Sequence, residues 1–173
     1  MASKLEFINS INSTTTNVST VSFDNIFSDK YDVYYLNVKG YKNNTHAEEL
    51  AFRLIDSSGS ALTGSNYTSP SYTLQTGGSF SEVRDVNQDK WRYGGYQPAS
   101  GSTGFGLSMY IYSPFDSSTY TFAELQSVQS ANQYIGRTNI YSYGVAESTR
   151  GIIFTNNGNY NMDLLKASVY GIA

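Results

Sequence analysis

The chain has 173 residues, only 14% of them charged, and a formal net charge of −3, where a soluble domain ordinarily carries about 25% charged residues. Such a balance offers no basic stripe to neutralise phosphates and argues against nucleic acid as a partner. The absence of Cys excludes disulfides, thiolate metal centres and a Cys nucleophile.

Tyr occurs 16 times, amid abundant Ser, Thr, Asn and Gly, a mixture that favours strands and tight turns over helices. The length suits one domain, 1–173, able to bury roughly 70% of its unfolded surface. Leu5-Glu6-Phe7-Ile8 alternates and predicts a first, edge strand. A polar connection over Asn12 to Thr20 leads to Val21-Ser22-Phe23, and Asp24 to Asp29 reads as a turn with Ile26 and Phe27 folded beneath it. Tyr31 to Val38 is rich in aromatic and β-branched residues and predicts a strand with Tyr34, Leu36 and Val38 on its inner face. Tyr41 to Glu48 reads as a polar loop. Glu49 to Ile55 is another strand, stopped by Asp56-Ser57-Ser58-Gly59. From Leu62 to Ser100 the pattern weakens to short strands at Ser69 to Leu74 and Trp91 to Tyr96, with a break at Gly77-Gly78. A long excursion of this kind is where loop function is encoded.

Gly104 to Leu125 organises the rest. Phe105, Leu107, Met109 and Ile111 recur at every second position and face a core, with Gly106, Ser108, Tyr110 and Tyr112 between them. Ser113 to Ser118 is a turn, after which alternation resumes through Tyr120, Thr121, Phe122 and Ala123. These two strands predict a hairpin at the centre of an antiparallel sheet. Ser127 to Gln133 is polar. Tyr134 to Val145 reads as a long strand with Ile140 reversing sides at a bulge, Gly151 to Thr155 as the penultimate strand, and Asn156 to Asn159 as a hairpin turn. In Met162 to Ile172, Leu165, Ala167 and Val169 alternate against Leu164, Lys166 and Ser168. Roughly nine strands with regular turn signals and no helix of ordinary length predict an all-β fold, an antiparallel β-sandwich of jelly-roll or lectin-like type.

Trp91-Arg92-Tyr93-Gly94-Gly95-Tyr96 sets the only Trp beside two Tyr and a glycine pair. Flat aromatics beside polar groups suit stacking on a sugar ring, while the commoner use of such a stretch is a core or interface strand ending at a bulge. Trp91, Tyr93, Tyr96 and the outward Tyr110 and Tyr112 are the candidate binding or interface residues. Two outward Tyr on one strand imply a covering layer, either a second sheet or a neighbouring subunit. Asp85-Val86-Asn87-Gln88-Asp89 starts like a calcium loop but continues with Lys90 where Gly is needed and Tyr96 where Glu is needed, so a solvated loop is expected. His46, the only His, lies in a polar loop without a second ligand. No metal site, cofactor or catalytic residue is therefore expected: there is no nucleophile elbow, and no phosphate-binding glycine loop. The start lacks the apolar run of a signal peptide, and no stretch is apolar enough to cross a bilayer. Synthesis in a cytoplasm and no membrane partner are the expectation.

The phrases Leu5-Glu6-Phe7-Ile8, Phe27-Ser28-Asp29-Lys30-Tyr31-Asp32-Val33-Tyr34, Phe52-Arg53-Leu54-Ile55-Asp56-Ser57-Ser58-Gly59-Ser60, Met109-Tyr110-Ile111-Tyr112-Ser113-Pro114 and Val169-Tyr170-Gly171 resemble the small all-β virion proteins of tailed bacteriophages, especially those of marine bacteria. The resemblance runs through most of the chain in order and fits least between Leu62 and Ser100. It implies a capsid decoration or cement subunit, made in the host cytoplasm and incorporated into the virion. Its implied partners are other virion proteins, capsid or tail subunits, and further copies of itself as a homo-oligomer. The alternative it implies is a tail-fibre or head-fibre subunit that binds host glycans. It brings no catalytic residues.

Overall fold

Alternation of apolar and polar side chains resolves into twelve strands, without a helix, in a computed structural model that describes residues 4–14, 17–44, 48–78, 80–97, 105–130, 134–158 and 160–173. In chain order they are β1 (Leu5–Ser13), β2 (Val21–Phe23), β3 (Val33–Asn43), β4 (Glu48–Asp56), β5 (Tyr67–Gln75), β6 (Ser81–Gln88), β7 (Tyr96–Gln97), β8 (Phe105–Tyr112), β9 (Thr121–Ser130), β10 (Tyr134–Tyr143), β11 (Thr149–Asn156) and β12 (Met162–Ile172). An eight-stranded sheet, β1-β12-β3-β8-β9-β10-β5-β6, packs on a four-stranded sheet, β2-β11-β4-β7. Every pairing is antiparallel.

Without the hairpins β5–β6 and β9–β10, the remaining eight strands run β1-β12-β3-β8 in one layer and β2-β11-β4-β7 in the other. The chain changes layer at every step except β4 to β7, which is the strand order of a jelly roll. The two hairpins extend the large sheet beyond β8. β8 and β9 thereby become its fourth and fifth strands, the centre predicted for this hairpin.

The core lies between the layers. Tyr34, Leu36 and Val38 of β3 are buried, as are Leu107, Met109 and Ile111 of β8. Phe105 is half-buried against Tyr41, with ring centroids 5.7 Å apart. From the small sheet, Phe52 meets Phe154 edge-on at 5.7 Å, and Phe154 meets Phe23 at the same distance. Each such side chain contributes about 1.5–3 kcal/mol on burial. Ile26 and Phe27 are buried beneath their turn, and both amides donate to the Arg150 carbonyl. Asp56 Oδ1 closes its turn by accepting from the Ser58 and Ser60 amides at 2.8 Å each.

Several expectations are corrected. Between Leu62 and Ser100 the strand expected at Ser69 to Leu74 is present within β5 and Gly77-Gly78 turns the chain as expected, but β6 follows unforeseen, and the strand expected at Trp91 to Tyr96 reduces to a bridge at Trp91 and the short β7. After the buried Tyr67, β5 turns Ser69, Ser71 and Thr73 inward and Tyr72 and Leu74 outward, so its apolar alternation points away from the core. Asp85 to Gln88 belongs to β6 instead of a loop, and Asp85 and Asp89 pair with Arg92 and Arg53. β3 continues through Tyr41 and Asn43, both buried, where a loop was expected. β9 runs to Ser130 with Ser127 and Gln129 facing inward. Ile140 marks no bulge: the β9–β10 register is unbroken from Tyr134 to Tyr143, and Ile140 faces out while Asn139 is buried. Asn156 and the residues after it link the small sheet to the large one and so do not close a hairpin. His46 and Asn159 lie outside the described residues.

Candidate functional site

An outward face of a two-layer sandwich is ordinarily polar. The outer face of the large sheet is aromatic instead. Register aligns Phe7, Tyr170, Tyr35, Tyr110, Glu124 and Ile140 in one row across β1, β12, β3, β8, β9 and β10. Its first four rings form a continuous line, with centroids 5.7, 6.1 and 5.1 Å apart. The next row is Leu5, Ile172, Val33, Tyr112, Phe122 and Ser142. Phe7 and Ile140 are each 62% exposed, Phe122 46% and Tyr110 38%. With strands about 4.8 Å apart, the two rows span on the order of 400 Å², the size at which an apolar patch marks an interaction site.

A third row is polar: Ser10, Ser168, Asn37, Ser108, Gln126 and Thr138. Glu124 is the one charged side chain in the three rows. Its Oε1 accepts from the Tyr112 hydroxyl at 2.8 Å. Burial, then the bond to Glu124, pushes the Tyr112 phenol up to about 12, so it remains a donor at ordinary pH. Between the aromatic and polar rows lies a depression of about 140 Å³, lined by Ser108, Tyr110, Glu124, Leu125, Gln126 and Thr138. Beyond it, a shallower apolar depression of about 480 Å³ includes Leu74, Phe80, Val128, Tyr134 and Gly136.

The sequence candidates divide between two places. Tyr110 and Tyr112 lie on the outer face, and among the described residues no second sheet covers them. Trp91 is corrected: it is fully buried, stacks on Tyr141 with centroids 5.3 Å apart and planes at 13°, and donates from Nε1 to the Ser142 carbonyl at 2.9 Å. It exchanges backbone bonds with Phe52 and so closes the core beside β4. Tyr93 is partly buried in a left-handed conformation, φ 64°, with the Arg92 and Arg137 guanidinium groups 5.6 and 5.9 Å from its ring centre. Tyr96 is half-buried on β7, and its amide donates to Gln129.

Around Tyr93 a polar network fills one end of the interior. Arg137 pairs with Glu49, whose other oxygen accepts from Asn157 Nδ2 at 3.0 Å. Arg92 donates to Asn157 Oδ1 and Asp85 Oδ2, both at 3.0 Å. The backbone from Tyr93 to Gly95 is pressed onto this network: Asn139 Nδ2 donates to the Tyr93 carbonyl at 2.5 Å, and a Cβ on Gly95 would stand 2.6 Å from the Phe105 ring. These side chains lock the layers together and leave the glycines no room for a ligand.

Sequence reading missed Phe7, Tyr35, Phe122, Ile140 and Tyr170 as surface groups. A signal existed: large apolar residues occupy both parities of several strands, where a one-sided strand would place them on one. Among the described residues no cluster of three or more His, Asp or Glu side chains could hold a metal ion. No family model, curated protein or solved structure matches the chain.

Proposed function

We propose that the chain is a structural subunit of a bacteriophage virion, a capsid decoration or cement protein that docks onto other virion proteins through the outer face of its large sheet. The observation that carries the docking is the pair of exposed aromatic rows with a single charge among them. Aromatic enrichment and charge depletion distinguish the centre of a protein interface. Tyr adds wide contact area with two torsions to freeze. The virion assignment is supported by the sequence phrases described above. A subunit of this kind works by contact and needs no catalytic group.

Purified particles carrying Tyr35→Ser, Tyr110→Ser and Phe122→Ser together test the reading. It expects a folded variant with sharply reduced copies per particle. Unchanged occupancy would refute docking through this face, and unchanged occupancy with lost adsorption to the host would favour the fibre reading instead.

A further inference from the structure

We propose that the depression between Tyr110, Glu124 and Thr138 receives the guanidinium of an arginine presented by the docking partner. This rests on the docking reading and adds the partner's chemistry. Glu124 stands inside the patch that docking would dry. A carboxylate removed from water is costly unless a counter-charge and further hydrogen bonds replace the solvent. Among the described residues the chain supplies only the Tyr112 hydroxyl, which donates to Oε1. Glu124 lines the depression, so the partner must bring the cation.

The lining selects which cation. The Tyr110 ring stands directly opposite Glu124 in register, placing an aromatic face beside a carboxylate. A guanidinium stacks on such a face while pairing with the carboxylate, and its five N–H donors need acceptors in several directions. Ser108, Gln126 and Thr138 line the next row and supply oxygens there. Lys166, on the same face and toward β1, makes a second copy of the chain a competing source of the cation.

The test is a titration of the ¹⁵N-labelled protein with N-acetyl-arginine methylamide, followed by amide shifts. Saturable shifts centred on Tyr110, Glu124, Gln126 and Thr138 are expected. They should be absent with N-acetyl-leucine methylamide, and affinity should fall about tenfold or more in Glu124→Gln, as for loss of a charged hydrogen-bonded pair. Thr138→Trp, which fills the depression from an exposed position, should abolish them. No saturable shift, an equal response in Glu124→Gln, or shifts from methyl galactoside without shifts from the arginine probe would each overturn the proposal. So would a dimer in sedimentation that Lys166→Gln and Glu124→Gln both dissociate. Particle occupancy separates the two levels: loss in the aromatic triple variant but not in Glu124→Gln refutes the arginine alone, and no loss in the triple variant refutes the docking reading beneath it.

Discussion

Replacing Trp91 with Phe tests whether the aromatic stretch between β6 and β8 is core or binding surface. The indole is fully buried, stacked on Tyr141 and edge-on to Tyr67 at 5.8 Å. Phe keeps one ring but removes the N–H donated to the Ser142 carbonyl. Losing that bond costs about 1–2 kcal/mol, and the volume left unfilled costs about 1–2 kcal/mol more. A total of about 2–4 kcal/mol is a large share of the roughly 5–15 kcal/mol that holds a domain together. At about 2–4 °C per kcal/mol for a chain of this size, the melting temperature should fall by roughly 4–16 °C. Urea unfolding followed by far-UV circular dichroism reads the free energy, and calorimetry reads the melting point. The wild type provides a second readout, since its fluorescence comes from one Trp: emission should be blue-shifted and poorly quenched by acrylamide. A stability loss below about 0.5 kcal/mol, together with quenching as fast as for free tryptophan, would refute the buried placement and return Trp91 to the surface candidates.

Further perturbations probe the backbone, the interior and the ionised surface. Gly151→Ala places a Cβ against the Phe23 carbonyl between β2 and β4, and a loss of about 1–3 kcal/mol in urea unfolding is expected. Lys90 is buried, its Nζ donates to the Asn156 carbonyl at 3.3 Å, and burial lowers its pKa. Between that lowered value and 10.5 the unfolded chain holds the extra proton, so stability rises with pH there. Lys90→Met should add about 1 kcal/mol at neutral pH and flatten the alkaline rise, both read by denaturation at a series of pH values. Arg150 beside Asp24, and the Ser58 and Ser118 bonds to Asp56 and Asp116, hold these carboxyls below the usual range. Their contribution is complete above the unfolded value of 3.8 and is lost as pH falls through the folded values. Arg150→Gln should therefore reduce the difference in urea midpoint between about pH 5 and pH 2.

Local chemistry alone determined much of this protein. Leu107, Met109 and Ile111 face the core because a strand turns every second side chain the same way, and the hydrophobic ones gain by leaving water. The turn at Asp56 to Ser60 was likewise legible, because an Asp carboxylate bonds the amides that follow it wherever the chain lies. Long-range pairing decided the rest. The alternation of β5 points its apolar Tyr72 and Leu74 outward because its inward Ser69, Ser71 and Thr73 face an interior that Arg92, Arg137 and Glu49 have made polar, and those groups are brought together from distant parts of the chain. For Trp91 the sequence favoured a core or interface strand over a sugar platform, and pairing with Phe52 decided for the core by closing it against Tyr141. Tyr110 and Tyr112 could be placed outward by parity, but their use could not, since the rows with Phe7, Tyr35, Phe122 and Tyr170 exist only once β1, β12, β3, β8 and β9 lie side by side. Alternation fixes which face a residue takes; sheet order, set by crossings between layers that no local pattern encodes, fixes which residues share it.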